Sequence, residues 1–202
     1  EVVEDARRRG LTVERVTGLD LDRQAAGGVH QGLAARLASA VDLSVEDLVA
    51  AQSPALLVVL DGIEDPHNVG AIARSVDAAG ASGLIRQSRH AAPLAGAAAK
   101  ASAGAVSHVR VADVVNIART LEELKSAGVW AIGLDAAGEQ RYDEIDLSLP
   151  SAIVVGAEGT GLRRLVRERC DQSAFIPMAG SADSLNVSNA AAIAFYELRR
   201  NS

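Results

Sequence analysis

The sequence has few of the residues that mark a secreted, disulfide-stabilised or membrane-spanning protein. Its single cysteine, Cys170, excludes a disulfide within the chain and favours a reducing compartment, so we expect a cytoplasmic location. No apolar run reaches the ~20 residues that cross a bilayer, and no signal-peptide pattern is present, so no membrane partner is expected. Aromatic residues make up only 2% of the chain, which leaves Ala, Val, Leu and Ile to build the core.

Patterns typical of metal sites and of the common hydrolases are also missing. The four histidines are scattered, and no zinc-ligand spacing, Ser-His-Asp order or carboxylate pair emerges, so no metal site is expected. The formal net charge of −6 disfavours nonspecific coating of nucleic acid, but it is compatible with a local basic patch that contacts phosphate.

From Pro54 onward, apolar strands alternate with helical segments. Residues 56–60 (LLVVL) form a continuous apolar run, which is typical of a strand buried on both faces. The alternation predicts an α/β fold with a mostly parallel sheet, helices on both faces and a ligand site at the carboxyl ends of the strands. The predicted strands are 56–60, 83–85, 108–111, 129–134, 152–155 and 174–176, and the predicted helices are 69–79, 93–103, a segment capped by Asp113, and 187–198.

The residues before Pro54 are too few to form a domain of their own. We predict a helix over 1–9 that ends at Gly10, and strands over 11–16 and 29–37. Residues 1–37 are interpreted as the C-terminal part of a domain, and because the chain begins at Glu1 we expect it to be a piece of a longer protein. Residues 38–53 are a predicted linker with one short helix, capped by Ser44 and Asp47, and residues 54–202 form the main domain.

Two glycine-containing stretches follow predicted buried strands. In the first, Asn68 is either a helix cap or a polar site group, and Arg74 is either a solvated residue or a clamp for phosphate or carboxylate. In the second, the order from Gly156 is G-x-x-G-x-G, which differs from the dinucleotide fingerprint, and no Walker A lysine follows. Glu158 would face a pyrophosphate unfavourably, and it either complements a helix dipole or serves as a site group.

A third stretch, residues 176–198, runs through small polar residues into an alanine-rich amphipathic helix. Ser184 and Asn186 either cap that helix or form the wall of a ligand site. From the residues alone, the three stretches indicate an α/β enzyme that holds a small polar or nucleotide-like ligand.

At these three stretches the sequence closely resembles the SpoU/TrmH family of RNA ribose 2'-O-methyltransferases, in the SPOUT superfamily. Three motifs in the right order are far more specific than one glycine loop, and the match covers about 150 residues, a typical domain size. The motif His30-Gln31-Gly32 resembles the end of the L30e-like RNA-binding domain of the RlmB/TsnR-like branch. The matching motifs are Asn68-x-Gly70-x-x-x-Arg74, Gly156-x-Glu158-Gly159-x-Gly161, and Ile176-Pro177-Met178 followed by Ser184-Leu185-Asn186-Val187-Ser188.

The resemblance implies a C-terminal trefoil knot, a rare exception to unknotted topology, in which the chain after Ala152 threads through a loop. The knot would form the pocket for S-adenosyl-L-methionine, and it would also be the packing surface of a homodimer. The methyl donor would be held mainly by backbone around Leu134, Gly156, Ile176, Met178 and Leu185.

The resemblance also assigns roles to the polar residues. Arg74 would clamp and orient the reacting ribose or its phosphate, because an arginine with a pKa above ~12 is a poor base. Asn68 would position Arg74 or the RNA, and Glu158 would orient Arg74 or the bound nucleotide. Ser184 and Asn186 would complete the polar wall.

The RlmB branch favours a guanosine ribose of 23S rRNA as the substrate. The family alternatives are tRNA or an rRNA adenosine, and a non-catalytic RNA-binding protein on the same fold also stays open. A nicotinamide-dependent oxidoreductase is disfavoured by the glycine order and by Glu158. The predicted RNA-facing charges are Arg86, Arg89, Lys100, Arg163, Arg164, Arg167 and Arg169.

Overall fold

The computed structural model describes residues 2–25, 30–35, 43–89, 91–145 and 150–200. The chain divides into two compact units, Glu1–Ser39 and Ala40–Ser202. None of the helices in these described ranges is both long and apolar enough to cross a membrane.

The N-terminal unit contains two short helices, α1 (Val2–Arg8) and α2 (Gly18–Gln24). The predicted helix at the start of the chain is confirmed, with Gly10 at a φ of +75° just beyond it. The predicted strand over 11–16 is wrong, because these residues have no strand conformation and pair with no strand in the part of the chain that the structure describes. Residues 30–35 form a turn and irregular chain, and the rest of the predicted strand over 29–37 lies outside the described residues.

The larger unit is built on a parallel sheet. Its described strands lie in the order β3-β2-β1-β6-β4-β7-β5, and every pairing between neighbours is parallel. The predicted mostly parallel α/β sheet is therefore confirmed. The strands are β1 (Leu56–Asp61), β2 (Gly83–Gln87), β3 (Val111–Val114), β4 (Trp130–Leu134), β5 (Gln140–Arg141), β6 (Ser151–Gly156) and β7 (Gln172–Phe175).

Helices cover both faces of this sheet, as predicted. Alternate residues of β1 enter two separate apolar clusters, because successive side chains of a strand point to opposite faces. Helices α4 and α8 pack on one face, and α3, α6 and α7 pack on the other. These helices are α3 (Val45–Ala50), α4 (Pro66–Ala78), α5 (Ala97–Ala101), α6 (Ile117–Ser126), α7 (Arg164–Arg169) and α8 (Val187–Arg200), with one 3₁₀ turn at Ala105–Ser107.

The predicted boundaries differ from the structure in two places that bear on the site. Helix α4 begins at Pro66 with Asp65 as its cap, so Asn68 lies inside the helix and is not its N-cap. Helix α6 is capped by Asn116, whereas Asp113 lies in β3 and pairs with Arg86. The cap prediction at Asp113 is therefore wrong, because β3 occupies 111–114 where the sequence predicted a strand over 108–111.

Candidate active site

A cavity of about 380 Å³ opens at the carboxyl ends of β4, β6 and β7. Its volume falls within the roughly 300–1,000 Å³ typical of small-molecule sites. Hydrophobic side chains and backbone form much of its wall, and acidic and amide groups stand at its rim. The five residues predicted to hold the cofactor all line it: Leu134, Gly156, Ile176, Met178 and Leu185.

One wall of this cavity is the glycine loop, defined here as residues 156–161. A Cβ at Gly156 would lie 2.1 Å from the backbone carbon of Gly161 and 2.3 Å from the nitrogen of Leu162. Gly159 and Gly161 have φ angles of +78° and +67°, which other residues rarely adopt. Gly156 is therefore required for packing of the loop against itself.

A buried ion pair anchors the end of the glycine loop to β1. The carboxylate of Asp61 is fully buried and accepts hydrogen bonds from the backbone nitrogen of Arg163 at 2.8 Å and from its Nε at 2.6 Å. A second guanidinium nitrogen, Nη2, also contacts Asp61. Because Arg163 directly follows the loop and precedes α7, this contact fixes both against the end of β1.

Side-chain amides connect all three sequence motifs. The Nδ2 of Asn68 donates to Glu158 Oε2 at 3.3 Å, and the Nδ2 of Asn186 donates to Asn68 Oδ1 at 3.0 Å. Asn186 Oδ1 accepts from the backbone nitrogen and the hydroxyl of Ser188 at 2.9 and 2.6 Å, so it also serves the start of α8. Both interpretations of Asn186, as a cap and as a site group, therefore apply. We call Glu158, Asn68, Asn186 and Ser188 the amide network.

The structure brings four of the five predicted catalytic residues together and leaves one apart. Glu158, Ser184 and Asn186 line the cavity, and Asn68 is buried behind them. Arg74 does not line it; its side chain is exposed and makes no hydrogen bond or ion pair with the described residues. Arg74 lies six residues beyond Asn68 on α4, which corresponds to about 9 Å along the helix axis. Its predicted catalytic role stays a prediction.

Gly70 has a packing role between these two residues. A Cβ on Gly70 would lie 2.4 Å from the carbonyl oxygen of Ala98 and 2.8 Å from the Cβ of Ala101. The motif glycine of α4 therefore allows α5 to pack closely against it.

Several polar residues that the sequence did not single out as site groups also line the cavity. Asp135 directly follows β4, Asp183 precedes Ser184, and Thr160 lies in the glycine loop. Arg167 was considered only as an RNA-facing charge, yet it reaches the cavity from α7 and contacts Asp135. The signal for Asp135 was its position immediately after a predicted strand.

Cys170 lies behind the sheet end and away from the cavity lining. Burial raises the pKa of its thiol to about 12, and the nearby carboxylates of Asp171 and Asp61 add to that shift. The thiol is therefore a neutral packing group at physiological pH, and it contacts the backbone oxygen of Val166. No group of three or more metal-ligating side chains occurs among the described residues.

Among the predicted RNA-facing cations, Arg163 and Arg167 are paired with Asp61 and Asp135, as described above. The other five fall into two groups. Arg86, Arg164 and Arg169 are engaged by Asp113, Glu168 and Glu122, respectively. Arg89 and Lys100 are exposed and make no ion pair with any residue that the structure describes. The second group therefore keeps its charge available for a ligand.

The fold and cavity define an α/β protein with a cavity of small-molecule size at the carboxyl edge of a parallel sheet, beside a network of amides. The chain matches the family described as the SpoU rRNA methylase family over residues 55–196. It belongs to this family, which confirms the family predicted from the three motifs.

Named relatives agree with this assignment. The chain is 42% identical to the 23S rRNA (guanosine-2'-O-)-methyltransferase RlmB of Vibrio parahaemolyticus, over 98% of this chain and 82% of that protein. It is 45% identical to an uncharacterized tRNA/rRNA methyltransferase of Mycolicibacterium gilvum, of which it spans 65%. The SpoU methyltransferase AviRb from Streptomyces viridochromogenes, solved with AdoMet, matches with a TM-score of 0.70 and 32% identity, over 78% of this chain and 61% of AviRb.

Proposed function

We propose that this protein transfers a methyl group from S-adenosyl-L-methionine to a ribose 2'-hydroxyl of RNA, with a guanosine of 23S rRNA as the favoured target. The observation that carries this proposal is the amide network, in which Asn68 joins Glu158 to Asn186 at the rim of the cavity. The named activity of the Vibrio relative and the AdoMet bound to AviRb support the same reaction and cofactor.

The cavity fits the chemistry of this cofactor. Its apolar wall, which includes Leu134, Ile176 and Leu185, suits an adenosyl group, and the carboxylate of Glu158 suits a cationic sulfonium. When bound, S-adenosylmethionine supplies a methyl group that is already activated by the positive sulfur. The protein then has to orient the hydroxyl and to assist the loss of one proton.

The amide network holds the polar rim in one arrangement. Asn68 is buried, so its amide is committed to Glu158 and Asn186, and it fixes their positions relative to the cavity. Glu158 and Ser184 are exposed at the rim, where they contact the ribose or its neighbouring nucleotide in this proposal. The proton leaves to phosphate or water.

Arg74 orients the ribose phosphate in this proposal. Because it does not line the cavity of its own chain, it reaches the reacting ribose only where RNA or a second copy of the chain brings the two together. A predicted homodimer meets that requirement. An open groove on α8 with the exposed apolar side chains of Ile193 and Tyr196 supports a dimer contact near the cavity-forming segment.

We also propose the trefoil knot and the L30e-like origin of residues 1–37. The knot is supported by the path of the chain: β7 pairs with β4 on the side away from β6, and α8 then returns to pack on α4 beside β1. The proposed L30e-like remnant is supported by the resemblance at His30 to Gly32 alone. We also propose a cytoplasmic location, because the proposed substrate is rRNA.

A methyl-transfer assay tests the reaction. The protein is incubated with tritium-labelled S-adenosylmethionine and unmodified 23S rRNA, and the RNA is digested to nucleosides. We expect label in 2'-O-methylguanosine, and we expect Asn186→Ala to lower the rate about tenfold or more, because the rim loses its fixed geometry. Asn189→Ala is the matched control, since Asn189 lies outside the amide network.

The alternatives give different outcomes in the same assay. Label in 2'-O-methyladenosine or in tRNA would keep the reaction and change the target. Label in a base would contradict ribose methylation. Binding of RNA and cofactor without any transfer would favour the non-catalytic RNA-binding protein.

Mixed dimers test the role of Arg74. Arg74→Ala and the cavity-filling variant Leu185→Trp are each expected to be inactive alone. If Arg74 serves the cavity of the other subunit, mixing the two proteins restores one working site per mixed dimer. If mixing restores nothing while mass spectrometry detects mixed dimers, Arg74 does not act between subunits.

A further inference from the structure

The ion pair between Asp135 and Arg167 lies inside the cavity, and none of the predicted roles uses it. Asp135 follows β4 and its side chain is 11% exposed, whereas Arg167 projects from α7 with 51% of its side chain exposed. The Nη2 of Arg167 lies 2.5 Å from Oδ2 of Asp135, and both residues line the cavity. The pair therefore presents a half-exposed guanidinium to the space that a ligand would fill.

Some hydrogen-bonding groups of this ion pair have no aligned partner within the protein. Asp135 Oδ1 accepts from the backbone nitrogen of Ala137 at 3.0 Å. Its Oδ2 is buried, yet its close contact with Arg167 lacks the alignment of a hydrogen bond. The exposed donors of Arg167 that do not contact Asp135 therefore remain available to a third group, and the Asp135 carboxylate behind them carries an oxygen without an aligned hydrogen bond.

Negatively charged side chains outnumber positively charged ones in the described lining of the cavity. Among the described residues that line it, Arg167 is the one cation, and the anions are Asp135, Glu158 and Asp183. For a ligand that carries a carboxylate, this guanidinium is the one cationic side chain in the described lining, and the planar fork of an arginine matches a carboxylate with two parallel hydrogen bonds. A ligand ammonium has carboxylates close to the same point.

We propose that Arg167 and Asp135 form the subsite for the amino-acid end of the methyl donor, with Arg167 binding its α-carboxylate and Asp135 accepting from its α-ammonium. An amino-acid zwitterion carries the charges that complement such a pair. This inference rests on the proposed function, because it assumes that the cavity binds S-adenosylmethionine. It assigns to Arg167 a role in cofactor recognition and withdraws it from the RNA-facing set.

Two adenosyl ligands distinguish recognition of the amino-acid end by this ion pair from a role of the pair in shaping the cavity. S-adenosylhomocysteine carries the amino-acid end, and 5'-methylthioadenosine lacks it while keeping the adenosine and the sulfur. Calorimetric titration of the wild type with each ligand gives a ratio of affinities. Arg167→Gln should weaken S-adenosylhomocysteine about 10- to 100-fold, the effect of losing a charged hydrogen-bond pair, and should change the affinity for 5'-methylthioadenosine less than about twofold.

Matched variants complete the experiment. Arg164→Gln lies on the same helix and pairs with Glu168 on the exposed side, so it should change neither affinity. Arg167→Lys should recover part of the S-adenosylhomocysteine affinity, because it keeps the charge and loses the fork. Asp135→Asn should also weaken S-adenosylhomocysteine more than 5'-methylthioadenosine. Thermal unfolding curves check that each variant is folded.

Three results would overturn this inference. Equal weakening of both ligands by Arg167→Gln would mean that the pair only shapes the cavity. Unchanged affinity for S-adenosylhomocysteine would mean that backbone groups hold the amino-acid end. If the wild type binds neither ligand, the proposed function itself fails and this inference fails with it.

Discussion

Two aspartate–arginine pairs connect α7 and its N-cap to strand ends, and they differ in what they leave unused. Asp61 is fully buried and accepts from both the backbone and the side chain of Arg163, so its oxygens are occupied by the protein. Asp135 lies in the cavity wall, and its buried Oδ2 touches Arg167 without an aligned hydrogen bond. The same residue types therefore hold a loop in one place and leave a half-exposed guanidinium facing the cavity in the other.

The largest expected effect is the difference in folding stability between variants of the two aspartates. Asp61→Ala leaves the backbone nitrogen of Arg163 and part of its guanidinium unpaired, and we expect a loss of about 3 kcal/mol in the free energy of unfolding. Asp135→Ala should cost about 1 kcal/mol, because Arg167 can turn to solvent. Urea denaturation of both variants measures the two values. Equal losses would remove the distinction between the pairs.

The amide network gives the next largest effect, on activity. Asn68→Asp places a second carboxylate beside Glu158 and removes the donor to it, so we expect methyl transfer to fall about 100-fold, as a misplaced reacting group would cause. Adding Glu158→Gln to the same protein removes the repulsion, and the new amide can donate to the carboxylate introduced at position 68. The double variant should therefore be more active than Asn68→Asp, and additive losses would contradict a direct contact.

A smaller effect should separate the paired surface cations from the unpaired ones. Replacing Arg89 and Lys100 by Gln should weaken RNA binding about tenfold and lower the salt slope by about 1.5, since each contact to RNA contributes roughly 0.7 to 0.9. Replacing Arg164 and Arg169 should have less effect, because Glu168 and Glu122 already engage them. Filter binding over a range of salt concentrations measures both slopes, and the reverse order would show that the ion pairs open for RNA.

The smallest effect should be the loss of stability at high pH that comes from Cys170. Its thiol contacts the backbone oxygen of Val166 and does not line the cavity. Burial raises the pKa of its thiol from the ordinary value of 9.0 to about 12, so the folded state disfavours the thiolate. Its contribution to stability is complete below pH 9 and is lost as the pH rises toward the folded pKa, by about 1 kcal/mol at pH 10. Urea denaturation at pH 8 and pH 10 should reveal this loss in the wild type. It should be missing in Cys170→Ala.

The sequence was sufficient to predict the sheet and several residues that line the cavity. The alternation of apolar runs with helical segments predicts a parallel sheet, and the family resemblance names Gly156, Ile176 and Leu185, which line one cavity. The failed strand over 11–16 has the alternation of a strand but has no partner, which a local pattern cannot reveal. Helix α2 could have been found, since Thr17 and Asp20 form a capping box.

The sequence did not allow us to predict which carboxylate each arginine would contact. Four arginines follow the glycine loop within seven positions, and the spacing does not say which of them turns inward. The geometry of the loop decides this, because it sets the register of α7 against β1 and β4. For the same reason Arg163 meets the buried Asp61 rather than RNA.

The most direct test of the account is a calorimetric titration of the chain with S-adenosylhomocysteine, comparing the wild type with Leu185→Trp. Leu185 lines the cavity, and an indole at this position would fill space that the adenosyl group needs. We predict one bound molecule per wild-type chain and loss of binding in a variant that remains folded. Undiminished binding to Leu185→Trp would place the methyl donor outside this cavity and contradict the central claim.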